Sequence, residues 1–121
     1  MLERMDASTL STVDAGRLAT NCEDTRALVE HITSKWGVVV LLILTEGTLR
    51  WSELKRRTNG ASEKMLIQTL KTLERDGLVV RTAHPVVPPH VDYSLSPEGE
   101  SAAGVLAPLV GWAAEHAGTT L

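Results

Sequence analysis

Residues 62–77 limit the possible fold most strongly, because they combine a helix start, a helix stop and a single apolar face. Ser62 is a favourable N-cap, Gly77 is a favourable residue just past a helix end, and good helix formers fill the positions between them. Beyond Gly77, LVVRTAH and HVDYSLS alternate apolar and polar side chains, and the prolines of PVVPP between them exclude a helix. The pattern predicts a helix followed directly by a β-hairpin over about 78–95.

Two helices are predicted upstream of this segment. The first runs over about 22–34, with either Thr20 or Asn21 as its cap. The second is WGVVVLLILTEG, which is apolar nearly all round and ends in glycine at position 47. Its length and its glycine stop favour a buried central helix, while its β-branched residues leave a strand as the alternative.

The remaining elements are short, apart from a last helix. TLRW is a candidate strand, SELKRRTN is a short helix begun by Ser52, and Ser96 with Pro97 begins a helix over about 97–116. Two helices joined by the tight turn NGA and followed by a hairpin are the arrangement of a winged helix-turn-helix. The predicted fold is therefore mainly α with a small β-hairpin (α+β), with the helix-turn-helix over about 52–76.

Length and composition indicate one domain. The 121 residues are expected to form a flexible N-terminal arm over 1–20 and a winged helix-turn-helix domain over 21–118. The longest apolar run is too short to cross a bilayer and the N-terminus lacks a signal-peptide pattern, so we expect a cytoplasmic protein without membrane contact. The single cysteine, Cys22, excludes an intramolecular disulfide and a cysteine metal cluster.

Charge is segregated along the chain. The formal net charge is −3, yet residues 50–81 hold eight Lys and Arg against four Asp and Glu. A phosphate backbone responds to the local field, which salt screens beyond roughly 8–10 Å. This basic segment makes an acidic protein compatible with nucleic-acid binding.

The predicted helix over 62–76 separates its apolar and basic residues. At about 100° per residue, Leu66, Leu70 and Leu73 share one side of the helix. The opposite side, here called the basic face, consists of Lys64, Gln68, Lys71 and Arg75. A merely solvated helix surface is the alternative, but such surfaces usually mix charges, and the acidic residues of this segment are expected to lie away from the basic face. Cations together with Gln suit phosphates and base edges, so the pattern favours DNA binding.

Four stretches in this order and spacing resemble the HxlR family of bacterial winged-helix transcriptional regulators: KWGVVVLLIL, GTLRWSELKRR, SEKMLIQTLKTLERDGLVVR and VPPHVDYSLSPEG. The resemblance covers roughly residues 22–115. It implies a homodimer joined through helices 22–34 and 97–116, with the second helix of the helix-turn-helix in the major groove of double-stranded DNA and the hairpin as a wing. The function it implies is that of a sequence-specific repressor on a pseudo-palindromic operator. The DNA-binding candidates are Ser52, Arg56, Ser62, Lys64, Met65, Ile67, Gln68, Lys71, Arg75, Arg81 and His90.

Cys22 is a candidate redox or electrophile sensor. Many members of this family carry one cysteine just before the first helix, and in some of them the resemblance implies a switch. A helix N-terminus stabilises a thiolate, whereas Glu23 and Asp24 oppose it. A partly buried, inert cysteine is the alternative.

Other chemistry lacks a pattern in the sequence. The four histidines, His31, His84, His90 and His116, do not form a metal-ligand spacing, and no catalytic constellation or phosphate loop is present. His84 and His90 flank the wing loop and could face each other, but no carboxylate partner is evident. We expect no cofactor, no metal and no enzymatic activity. Two alternatives remain open: a regulator that responds to a small molecule without cysteine sensing, and a winged helix that binds an acidic protein.

Overall fold

The structure is a computed structural model that describes residues 23–117. Its contacts divide the chain into two units, residues 1–30 and residues 31–121, and the packing described below lies within the second. The predicted arm over 1–20 and Cys22 lie outside the described residues. Among the described residues, no single helix is long and apolar enough to cross a membrane. The bent pair of helices Glu23–Thr33 and Lys35–Glu46 reaches the required length and apolar composition only when the two are counted together.

Five α-helices and three β-strands follow one another within residues 23–117. The helix predicted over 22–34 and the helical interpretation of WGVVVLLILTEG are both confirmed, and the strand alternative is wrong. In chain order the elements are α1 (Glu23–Thr33), α2 (Lys35–Ile43) with a 3-10 turn (Leu44–Glu46), β1 (Leu49–Arg50), α3 (Trp51–Arg57), α4 (Glu63–Arg75), β2 (Val79–His84), β3 (His90–Leu95) and α5 (Pro97–Ala117).

The helix-turn-helix consists of α3 and α4, and its first helix begins one residue earlier than predicted. Arg50 is the N-cap of α3 and makes no side-chain capping bond, so the predicted cap role of Ser52 is wrong. The reason is that β1 holds Arg50 in an extended conformation up to the start of the helix. At the other end of α3, the buried hydroxyl of Thr58 donates a hydrogen bond to the Leu54 carbonyl oxygen at 3.0 Å, which closes the last turn before the loop to α4.

The sheet has three antiparallel strands in the order β1-β3-β2. Its hairpin pairs Val79 with Leu95 at one end and His84 with His90 at the other, which confirms the hairpin predicted from the alternating pattern. The short strand is confirmed as well, and it pairs with β3 through Leu49 and Tyr93. The start of α3 is thereby fixed beside the wing.

The start of α5 packs closely on the end of α4. Ser96 caps α5: its Oγ accepts a hydrogen bond from the Gly99 N–H at 3.0 Å and donates one to the Gly77 carbonyl oxygen at 2.6 Å. A Cβ on Gly99 would lie 2.0 Å from the carbonyl oxygen of Leu78, so only glycine fits at this position. From there α5 continues through Pro108 without a break.

The core lies where α2, α4 and α5 meet above the sheet. Its apolar members are aliphatic except for Tyr93, as the near absence of aromatic residues requires. The leucines of α4 lie at the centre of this core. Because their side of the helix packs against the core, the opposite side of α4 faces outward. The buried apolar residues are Val40, Leu41, Leu44, Leu54, Ala61, Leu66, Leu70, Leu73, Leu78, Val79, Tyr93, Ala103 and Leu106.

Candidate nucleic-acid interface

Helix α4 presents the basic face to the outside. Ser62 caps the helix by accepting a hydrogen bond from the Met65 N–H at 3.0 Å, and Gly77, with φ of +80°, follows its C-cap. Leu66, Leu70 and Leu73 are buried, each no more than 1% exposed. The predicted start, stop and apolar side of this helix are therefore confirmed.

The basic face lines a shallow groove of about 740 Å³ along α4. All four of its residues are exposed, and Ile67 lies in the same groove with its side chain 40% exposed. Glu63 also lines the groove, so the expectation that the acidic residues of α4 lie away from the basic face is wrong for Glu63. Glu63 is the first residue of α4 and therefore lies beside Lys64 at the N-terminus of the helix. The groove is lined by Glu63, Lys64, Ile67, Gln68, Lys71, Thr72 and Arg75.

A second concavity, here called the wing cleft, separates α4 from the hairpin and has a volume of about 780 Å³. It brings together five DNA-binding candidates from four elements: Ser52, Ile67, Lys71, Arg81 and His90. It also contains Arg50, which the sequence analysis did not single out, and Glu74, a second acidic residue close to the cations. The cleft is lined by Arg50, Trp51, Ser52, Ile67, Leu70, Lys71, Glu74, Arg81, Pro88, Pro89, His90, Val91 and Tyr93.

Ile67 and Lys71 line both the groove and the wing cleft, so the two surfaces are continuous. Arg50 precedes α3 and faces this continuous surface from the sheet. Sequence reasoning missed it because the prediction treated TLRW as a separate strand, whereas pairing of β1 with β3 carries Arg50 to the wing.

Three candidates lie outside the lining of both concavities: Ser62, whose hydroxyl caps α4, Arg56 and Met65. Arg56 donates two hydrogen bonds to the Glu53 carboxylate, at 2.5 and 2.6 Å, one turn earlier on α3. Met65 is 43% exposed, and its backbone N–H is occupied by the Ser62 cap. The structure therefore brings nine of the eleven candidates to the groove, to the cleft or, for Ser62, to the cap that begins α4.

The neighbouring cation Arg57 forms an ion pair with Glu46, which lies eleven residues earlier in the 3-10 turn. Its guanidinium donates a hydrogen bond to Oε2 of Glu46 at 2.7 Å. This hydrogen bond, reinforced by the positive charge, holds the pKa of Glu46 below its ordinary value. The same hydrogen bond raises the pKa of Arg57. Arg57 thus stabilises the link between the 3-10 turn and α3.

The wing histidines have a partner that the sequence analysis overlooked. Nε2 of His84 lies 2.9 Å from Oδ2 of Asp92, and the rings of His84 and His90 stack with centroids 4.5 Å apart. The expectation that no carboxylate accompanies these imidazoles is wrong. The signal was the hairpin register, which places Asp92 two residues along β3 from His90 and hence on the same face of the sheet.

Fold and site together define the class of the protein. A helix-turn-helix whose second helix carries an exposed basic face, followed by a hairpin that extends this surface, is a winged helix-turn-helix. The HxlR-like helix-turn-helix family model matches residues 31–120. The chain belongs to this family of transcriptional regulators, as the four sequence stretches implied.

Known relatives agree with this assignment. YtfH of Escherichia coli K12, an HTH-type transcriptional regulator, is 53% identical over 87 residues, which are 72% of this chain and 69% of YtfH. The solved structure of ytfH from Salmonella typhimurium, classed as a transcriptional regulator, is 45% identical with a TM-score of 0.76, covering 83% of this chain and 88% of that one. The redox regulator HypR in its oxidized form is 28% identical with a TM-score of 0.69, covering 77% and 95%.

Proposed function

We propose that the protein represses transcription by binding a DNA duplex as a homodimer, with α4 in the major groove and the hairpin as a wing along the backbone. The observation that carries the proposal is the basic face, which the buried leucines of α4 hold outward in a continuous surface with the wing cleft. Winged helices dock on DNA through this element. The family membership supports the same role.

The side chains of this surface divide into base-reading and phosphate-binding groups. Gln68 can pair with adenine through two hydrogen bonds, Lys64 can donate to guanine, and Ile67 can contact a thymine methyl group. Lys71 and Arg81, on either side of the wing cleft, suit the phosphates of one strand. Sequence preference should therefore depend on the middle of α4, and general affinity on the cleft.

Dimerisation through α5 would place two such surfaces on one DNA face. Val105, Leu109 and Trp112 recur at helical spacing and are 70%, 55% and 59% exposed, an apolar stripe suited to a second copy of the chain. Two-fold symmetry of the dimer would require a pseudo-palindromic operator, with half-sites about 34–36 Å apart or a multiple of this distance. Occupancy of such an operator would block transcription.

Cys22 remains the predicted sensor of oxidants or electrophiles. It lies outside the described residues, so the support comes from sequence position and from the similarity to HypR, a redox regulator. In this hypothesis, a mixed or intersubunit disulfide at Cys22 shifts the dimer and releases DNA. Operator affinity with and without diamide, in the wild type and Cys22→Ser, tests it: equal affinity in all four samples contradicts cysteine sensing.

The decisive experiment measures DNA binding by the purified chain on its own upstream region, first by footprinting and then by fluorescence anisotropy. We expect a salt-dependent complex that is lost in the triple variant Lys64→Ala, Gln68→Ala, Lys71→Ala. Lys35→Ala is a suitable charge control, because Lys35 lies over the ring of Trp36 at 4.9 Å and lines neither the groove nor the cleft.

Two outcomes would contradict the proposal. Equal affinity of the triple variant and Lys35→Ala would mean that the basic face is only a solvated surface. Failure of the wild type to bind any duplex, together with salt-sensitive binding to an acidic protein, would favour the interaction-module alternative.

A further inference from the structure

We propose that the wing binds a divalent transition-metal ion through His84, His90 and Asp92. These residues lie at the loop end of the hairpin, where His84 closes β2 and His90 opens β3. They are partly buried, and one nitrogen or oxygen of each lies within 4.8 Å of the others. His90 also lines the wing cleft, so the proposal is tested with the ion alone, in the absence of DNA.

The backbone places the three side chains together before any ion arrives. His84 and His90 are direct register partners, and Asp92 follows His90 by two residues, so all three project from one face of the hairpin. The stacked rings are inclined by only 22°, and Nε2 of His84 already contacts Oδ2 of Asp92. The ligand set thus requires no rearrangement of the strands.

Asp92 also has an unused ligand atom. Its Oδ1 is buried and has no hydrogen-bond partner among the residues that the structure describes. A buried carboxylate oxygen without a partner is costly, since a carboxylate can accept bonds at both oxygens. Coordination of a cation by the Asp92 carboxylate would offset this cost, whereas the contact with His84 satisfies only Oδ2.

Two imidazoles and one carboxylate are a ligand set that Zn²⁺ accepts, with at least one position left for water. Ligand atoms of a tetrahedral zinc site are about 3.3 Å apart when the bonds are about 2.0 Å long. The side chains must therefore draw inward, by rotation of the rings out of their stack. Any proton on the nitrogen that becomes a ligand must leave it for the other ring nitrogen or for solvent.

The test is a titration of the tag-free full chain with Zn²⁺. Calorimetry measures the affinity and the number of ions bound, and NMR of ¹⁵N-labelled protein measures the chemical shifts of the imidazole nitrogens. We expect one ion per chain and shifts confined to His84 and His90. His84→Gln and Asp92→Asn should each weaken Zn²⁺ binding by at least about tenfold. Substitution of a residue that only hydrogen-bonds to a metal ligand already lowers metal affinity by about 10–100-fold. His116→Gln, which removes a histidine from α5, and Cys22→Ser, which removes the thiol, should bind as the wild type does.

Three results would overturn the site: no binding by the wild type, binding by His84→Gln and Asp92→Asn as tight as that of the wild type, or binding that disappears with Cys22→Ser. Circular dichroism of each variant shows whether it folds. His84 lies on edge strand β2, so His84→Gln keeps the test valid even if Asp92→Asn disturbs the central strand. The titration contains no DNA, so its failure and a failure of the proposed function are separate results.

Discussion

Nδ1 of His31 lies 2.6 Å from Oδ2 of Asp76, which joins the last turn of α1 to the C-cap of α4. Both side chains are partly buried, with 32% and 18% of their surfaces exposed. A carboxylate at this end of a helix faces the negative end of the helix dipole, so the imidazole compensates an unfavourable charge. The end of α4 is thereby linked to His31, the first residue of the second unit.

This relationship predicts an asymmetry between two substitutions. His31→Ala should lower the free energy of unfolding by about 1–2 kcal/mol, because it leaves the Asp76 carboxylate without its partner. Asp76→Asn should cost less, and in the His31→Ala background it should be neutral or stabilising. Urea unfolding of the two single variants and the double variant measures the coupling, and strictly additive losses would contradict it.

Gln68→Ala and Lys71→Ala should have different effects on DNA binding. Loss of Gln68 should relax the base preference at one position of each half-site with little change in salt dependence. Loss of Lys71 should weaken binding to all DNA sequences alike. It should also reduce the slope of log affinity against log salt concentration by about the amount expected for one phosphate contact. Anisotropy titrations on matched and mismatched duplexes at several salt concentrations separate the two, and identical profiles would contradict the assigned roles.

Leu109→Glu should shift the protein towards monomers. A carboxylate in the stripe of Val105, Leu109 and Trp112 would have to be desolvated on association. Ser101→Glu, on an exposed position of the same helix, should leave the association state unchanged. Light scattering coupled to size-exclusion chromatography gives the mass of each variant; a Leu109→Glu protein that stays dimeric would place the interface elsewhere.

Gly99→Ala should destabilise the protein, whereas Gly104→Ala should not. The new methyl group at position 99 would lie 2.0 Å from the Leu78 carbonyl oxygen, and relief of this overlap should cost about 2–3 kcal/mol. Among the described residues, no atom beyond the chain neighbours and the nearby backbone of α5 lies within 4 Å of the Cβ position at Gly104, so alanine there should raise stability by about 0.5–1 kcal/mol through helix propensity. Thermal unfolding of both variants tests this difference, and a stable Gly99→Ala protein would refute the close approach of α5 to the end of α4.

The pair of Glu46 and Arg57 should make a small, pH-dependent contribution to stability. The hydrogen bond and charge of Arg57 lower the pKa of Glu46 in the folded protein. The pair therefore contributes its full stabilisation at pH values above the ordinary carboxyl pKa, and loses it as the pH falls through the lowered pKa of the folded state. Glu46→Gln should therefore be less stable than the wild type at neutral pH and equal to it in acid. Denaturant unfolding across this range tests it. Because the pair is exposed, high salt should reduce the difference at neutral pH.

Sequence patterns predicted the elements because local signals fix them. Ser62 and Ser96 cap their helices through bonds to residues three positions on, Gly77 ends α4, and the leucines of α4 recur at helical spacing, so these roles could be read in order along the chain. Ser52 was misjudged because strand pairing at Arg50 decides where α3 begins. Asp92 was missed for the same physical reason: its contact with His84 depends on the register between two strands, which a one-dimensional pattern does not give.

The hydroxyl of Ser96 has a mechanical consequence. One oxygen atom accepts from the first turn of α5 and donates to the residue that follows α4, with no intervening side chain. A rotation of α5 that carries Ser96 with it must either break the bond to Gly77 or move the end of α4. Together with the close approach of Gly99 to the Leu78 carbonyl oxygen, this bond couples the start of α5 to the end of α4, so a displacement of one helix start would be felt at the other helix end.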